Sequence, residues 1–214
     1  VCADSVAFRE RLVGLSAAWA KERWQEVQKA LAAGRPLDAA RALAEWWNSD
    51  PDSDDLEEAR DLLLGVADRL ARDAHAFAEK GAFAEALQLV TQAPGPVAGV
   101  PAVRRLKEQL EQLAALLEAE DEDPRRRLQG LTRLFAETRW PSIEARLAAA
   151  RSAVQELDTG LQRAREALAH GRIDDGKSEL DSLLGRWAGC DEARALMEGM
   201  LADEREREEQ LRAA

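Results

Sequence analysis

Apolar positions along this chain recur every three or four residues, and charged residues fill the gaps between them. Leu56, Ala59, Leu63, Val66, Leu70, Ala74 and Phe77 form one such run, and that spacing places side chains on a single stripe of an α-helix. Val103, Leu106, Leu110, Leu113 and Leu117 repeat it. From Ile143 through Leu147, Ala150, Val154, Leu157, Leu161 and Ala164 to Leu168 the pattern runs unbroken across Gly160. One helix is expected there, although an internal glycine costs about 1 kcal/mol.

Breakers set the ends of the segments. Gly34, Gly81 and Gly171 each follow an amphipathic run and suit the left-handed position after a helix end. Lys80 and His170 precede two of them, where the helix dipole favours positive charge. Asp123-Pro124 and Trp140-Pro141 read as helix starts, because proline at the first helical position gives up no useful N–H. Asp52 and Ser53, after Pro51, are candidate N-caps. Nine helices are predicted, near 5–33, 37–48, 54–80, 83–93, 101–119, 125–138, 142–170, 173–186 and 191–211. Short connections make sequential helices antiparallel neighbours. The stretch "APGPVAGVP", residues 93–101, is expected to be free of helix. It divides an N-terminal half, 1–97, from a C-terminal half, 98–214, that carries the long helix 142–170 and a charged C-terminal helix. "EAEDEDP", 118–124, is a second candidate linker.

Composition sharpens this picture. At 46% hydrophobic residues a chain of 214 can bury a substantial core. Alanine, leucine, arginine and glutamate dominate, tyrosine is absent and β-branched residues are scarce, so the fold class is all-α. Arginine outnumbers lysine 25 to 5, a bias typical of GC-rich bacterial coding. The net charge of −11 argues against nucleic acid or an anionic membrane as partner, since both require a basic footprint. Cys2 and Cys190 lie far apart with no metal or redox spacing, which fits a reducing cytoplasm. No apolar run reaches the length of a membrane span, and the N-terminus lacks an initiator Met and the zones of a signal peptide, as expected of a piece of something longer.

Residues 34–53, "GRPLDAARALAEWWNSDPDS", form a cassette in which Gly34, Ala39, Leu43 and Pro51 stand at offsets 0, 5, 9 and 17. After Gly81 come Phe83, Ala86, Val90 and Ala93; after Gly171 come Ile173, Gly176, Leu180 and Leu183. The pattern resembles the tetratricopeptide (TPR) repeat, a 34-residue unit with a turn glycine, a small residue at closest helix approach and a terminal proline. The glycines stand 47 and 90 residues apart, and Trp24 lies one position from the tryptophan slot of the repeat. An array of antiparallel helical hairpins, a TPR-like α-solenoid, is therefore one architecture, and an irregular helical bundle is the other. The resemblance implies that the inner helix of each hairpin lines a concave face. On that basis the partner-binding candidates are Arg23, Trp24, Gln28 and Trp47 in the first hairpin, and Arg69, Arg72 and His75 in the second.

Little in the chain points to catalysis or to a cofactor. "DPDSDD" places Asp50, Asp52 and Asp54 like an EF-hand loop, yet Asp55 stands at the turn glycine and Asp61 at the bidentate glutamate. His75 and His170 lack a second histidine at ligand spacing, and no nucleophile elbow or phosphate-cradling loop occurs. Arg125, Arg126 and Arg127, with Arg133 and Arg139 and the nearby Arg104 and Arg105, are the basic concentration. The preceding "EDED" is expected to neutralise it. The six tryptophans, Trp19, Trp24, Trp46, Trp47, Trp140 and Trp187, fall near helix ends, and Trp46 and Trp47 cannot both enter one seam because adjacent residues lie about 100° apart. These features point to a non-catalytic, metal-free interaction scaffold or regulatory segment that binds a protein or peptide. The alternatives are self-association through the long helices, and a helical appendage of an NTPase or kinase.

Overall fold

A computed structural model of the chain describes residues 18–19, 21–49, 56–119 and 122–213. Cys2, Pro51 and the acidic stretch 50–55 lie outside them. The fold is all-α, with no strand among the described residues. The helices are α1 (21–32), α2 (Pro36–Ser49), α3 (Leu56–Glu79), α4 (Phe83–Thr91), α5 (Gly95–Ala98), α6 (Pro101–Glu118), α7 (Pro124–Thr138), α8 (Ser142–Ala169), α9 (Ile173–Arg186) and α10 (Asp191–Ala213).

Two compact units divide within α6, one up to Glu111 and one from Gln112. In the first, α3 packs against α2, α4 and α5, and α2 also touches α5. In the second, α8 is central, flanked by α7 and α9, and α10 packs on α9.

Three turns share one backbone geometry. Gly34, Gly81 and Gly171 have φ of 68°, 82° and 72°, the left-handed region that glycine reaches without a Cβ clash. Each glycine N–H donates to the carbonyl three residues back: Leu31, Ala78 and Leu168, all at 3.0 Å. The next N–H, of Arg35, Ala82 and Arg172, donates to Ala30, Phe77 and Ala167 at 2.9 to 3.0 Å. That pair of bonds satisfies carbonyls the helix leaves open. The following helix then opens identically, with the N–H of Ala39, Ala86 and Gly176 donating to Arg35, Ala82 and Arg172 at 3.1 Å.

The small residue five positions after each turn glycine sits at the helix contact. Ala39 and Ala86 are fully buried, and Gly176 is buried where a Cβ would come within 2.8 Å of Leu168. Leu43, Val90 and Leu180, nine positions after the glycine, are also buried. Each such aliphatic side chain contributes about 1.5–3 kcal/mol when removed from water.

Other starts and stripes follow the sequence pattern. Asp123 caps α7 by accepting the Arg125 N–H at 2.8 Å, with Pro124 at the first helical position. The long helix crosses Gly160 without interruption, and there the missing side chain makes room for Leu183, whose Cδ2 would stand 2.7 Å from an added Cβ. Leu183 fills the space that the propensity cost leaves open.

Three features depart from expectation. The stretch 93–101 contains α5, since Pro96 in a first turn costs no hydrogen bond, and Val97 and Val100 anchor it by burial. Phe77 is 41% exposed, and Ala78, four residues after buried Ala74, takes its place on the apolar stripe. At the end of α7 the left-handed position is held by Arg139, at φ 57°, whose N–H donates to Phe135 at 2.9 Å. Its guanidinium lies over the Phe135 ring, and Trp140 beside it is fully buried.

Candidate functional site

In the first unit, the predicted surface starts with Arg23 on α1. It is half-buried, paired with Glu26 at 2.6 Å and with Glu45 of α2 at 3.3 Å, and it lies 5.6 Å from the Trp19 ring centroid. Arg23 therefore ties α1 to α2 as well as facing water. Trp24 is half-buried and Gln28 is exposed. Of the adjacent tryptophans, Trp46 is buried and Trp47 is half-buried, the split required by their 100° separation. The Trp46 indole N–H is buried without an acceptor, a loss of about 1–3 kcal/mol for a neutral donor.

Arg69 and Arg72 are exposed on α3 and His75 is half-buried. Spacings of three place them on the side away from buried Val66, Leu70 and Ala74. This face is mixed in charge. Arg69 Nε donates to Asp73 at 3.4 Å, Arg72 Nε to the Asp68 carbonyl at 3.3 Å, and His75 Nδ1 lies 3.9 Å from Glu79. Such a row offers donors and acceptors to a polar peptide and lacks the uniform basic field that nucleic acid requires. Arg69 and Arg72 pair within α3, and among the described residues no hydrogen bond or ion pair links them to Arg23 or Trp47.

In the second unit, two of the clustered arginines, Arg125 and Arg126, form an inter-helix clamp. Arg125 of α7 bonds Asp158 of α8 at 2.5 Å and Glu192 of α10 at 2.6 Å. Arg165 also reaches Glu192, and Arg126 pairs with Asp191 at 2.8 Å. These partners lie 33 and 67 residues from Arg125, because α8 and α10 bring carboxylates to the start of α7; of the preceding "EDED", Glu120 and Asp121 lie outside the described residues. Hydrogen bonds from Arg125 and then Arg165 hold the Glu192 carboxyl below its usual range, while Asp158 above all raises Arg125. Local spacing carried no signal of this cluster.

Depressions also mark the surface of this unit. A cleft of about 470 Å³ between α8 and α9 is lined by Ser152, Gln155, Thr159 and Ser182 over Leu183 and Trp187. Glu156–Arg186 at 2.9 Å and Arg163–Glu179 at 3.8 Å bridge it, and Arg186 stacks 4.7 Å from the Trp187 ring centroid. A second, more apolar groove of about 270 Å³ lies where α10 crosses the α8–α9 turn. Among the described residues, no group of three or more His, Cys, Asp or Glu is placed to hold a metal. Nor is any helix among them long and apolar enough to cross a membrane.

No family model matches the chain, and no curated protein or solved structure matches it.

Proposed function

We propose that this chain is a non-catalytic protein–protein interaction scaffold or regulatory segment of a larger, bacterial cytoplasmic protein, built as a TPR-like array of antiparallel helical hairpins. The observation that carries the reading is the recurrence of one turn. Glycine at φ 68–82°, the same two carbonyl bonds and a buried small residue five positions on occur three times along the chain. Repetition of a supersecondary unit is the means by which helical arrays build extended binding faces. The mixed-charge row of Arg69, Arg72 and His75, with half-buried Trp24 and Trp47, then supplies an anchor type and a polar rim suited to a partner peptide or helix.

The test is quantitative capture of interacting proteins by the full chain and by a variant carrying Trp47→Ala, Arg69→Ala and Arg72→Ala. The expected result is loss of specific partners by the variant at an unchanged helical content. Retention of the same partners at the same level would reject these residues as the binding surface.

A further inference from the structure

The C-terminal helix carries a stripe that its own unit covers only in part. Ala193, Leu196, Met200, Asp203, Arg207 and Leu211 step by three and four along α10, one side of the helix. Ala193 is fully buried and Met200 is 6% exposed. Beyond Leu201 the cover ends: every residue from Ala202 to Arg212 is exposed except half-buried Glu204. Leu211 is 79% exposed, although it shares the stripe with core residues.

The apolar groove opens on this same stripe. Leu168 and Ile173 form one wall, Leu196 and Met200 the other, and Asp203 and Arg207 stand at its rim. Gly199 adds no side chain, and a Cβ built there would meet nothing within 4 Å. Among the described residues Asp203 and Arg207 have no ion-pair partner, in contrast to Asp191 and Glu192 at the start of the helix.

We propose that this face binds a second copy of the chain, α10 against α10 in antiparallel order about a two-fold axis at Arg205. Such an axis sets Asp203 of each copy opposite Arg207 of the other, giving two reciprocal charge pairs. It also sets Leu211 opposite Gly199, so each leucine enters the other copy's groove beside Met200. One patch complements itself in charge and in shape, which a closed two-fold contact requires. A foreign helix would need its own acidic and basic residues at the same four-residue spacing. Glu204 borders the stripe near the axis, and its repulsion across the contact keeps the association weak. The proposal is independent of the first-unit binding face.

Light scattering coupled to size-exclusion chromatography tests it on the full chain from micromolar to near-millimolar concentration. The mass should rise from 23.6 kDa toward twice that value. Leu211→Asp should hold it at the monomer with an unchanged melting temperature. Asp203→Arg alone should weaken association about tenfold by opposing arginines twice, and adding Arg207→Asp should restore it. A constant monomer mass for the unaltered chain would overturn the proposal. So would a dimer indifferent to Leu211→Asp, or a double charge swap that fails to recover what the single reversal lost.

Discussion

The α3–α4 pair of the first unit and the α8–α9 pair of the second use the same glycine turn but hold their helices in different ways. At Ala86 a methyl group fills the contact, and around Arg69 and Arg72 the hydrogen bonds run along one helix. At Gly176 and Gly160 no side chain is present, Leu168 and Leu183 occupy the space, and Glu156–Arg186 and Arg163–Glu179 tie α8 to α9. The difference teaches that the turn sets the connection, while the residue at closest approach sets which side chains meet across it. Where glycine allows the helices' larger side chains to interleave, cross-helix ion pairs accompany them.

Overfilling the contacts should break this comparison most severely. Ala39→Trp places an indole in a fully buried site of the first unit and should cost about 3 kcal/mol. Gly176→Val should cost about 2 kcal/mol in thermal unfolding, since its Cβ alone would sit 2.8 Å from Leu168. Gly176→Ala should cost less, about 1 kcal/mol, because its Cβ meets the same Leu168 Cδ2 at 2.8 Å and Cγ at 2.9 Å while alanine regains part of the loss as helix propensity. Gly81→Val forces a β-branched residue to φ 82° and should cost about 2 kcal/mol, measured by melting followed in the far ultraviolet.

The charge clamp should have a smaller effect. Arg125→Ala removes the donor shared by Asp158 and Glu192, but these side chains are 33–54% exposed and water screens them, so about 1 kcal/mol is expected. Its pH dependence has a definite sign. Glu192 has a folded-state value below its unfolded one, so its contribution is present above the unfolded glutamate value. That contribution is lost as pH falls through the lowered folded value. Acid titration of stability should therefore show a shallower loss in the Arg125→Ala protein than in the unaltered chain, and parallel curves would contradict the clamp.

Much of the backbone was legible in the sequence because its signals are local. Gly34, Gly81 and Gly171 announced left-handed turns, Asp123-Pro124 announced a capped start, and the run from Ile143 to Leu168 announced a helix strong enough to cross Gly160. Arg139 escaped notice because nothing in its chemistry advertises a positive φ, which is held there by the buried Trp140 next to it and by contact with Phe135. Helix α5 escaped because two prolines and two glycines read as breakers until Val97 and Val100 find a core. The surface was less legible. The tryptophan pair had to split, and it does, but the ion pairs of Arg125 depend on which helices become neighbours. No local spacing encodes a carboxylate 67 residues away.

One glycine-to-alanine series tests most directly whether a single turn design organises both units. Gly34, Gly81 and Gly171 share a positive φ, and a Cβ at Gly34 or Gly171 meets nothing within 4 Å, so alanine there incurs backbone strain alone. Each substitution should lower stability by about 1 kcal/mol, whereas Gly65→Ala, in open space inside α3, should raise it by about the same amount. Equal losses at the three turns with a gain at Gly65 are the predicted result. Alanine tolerated at any one of the turns, or a loss at Gly65, would contradict it.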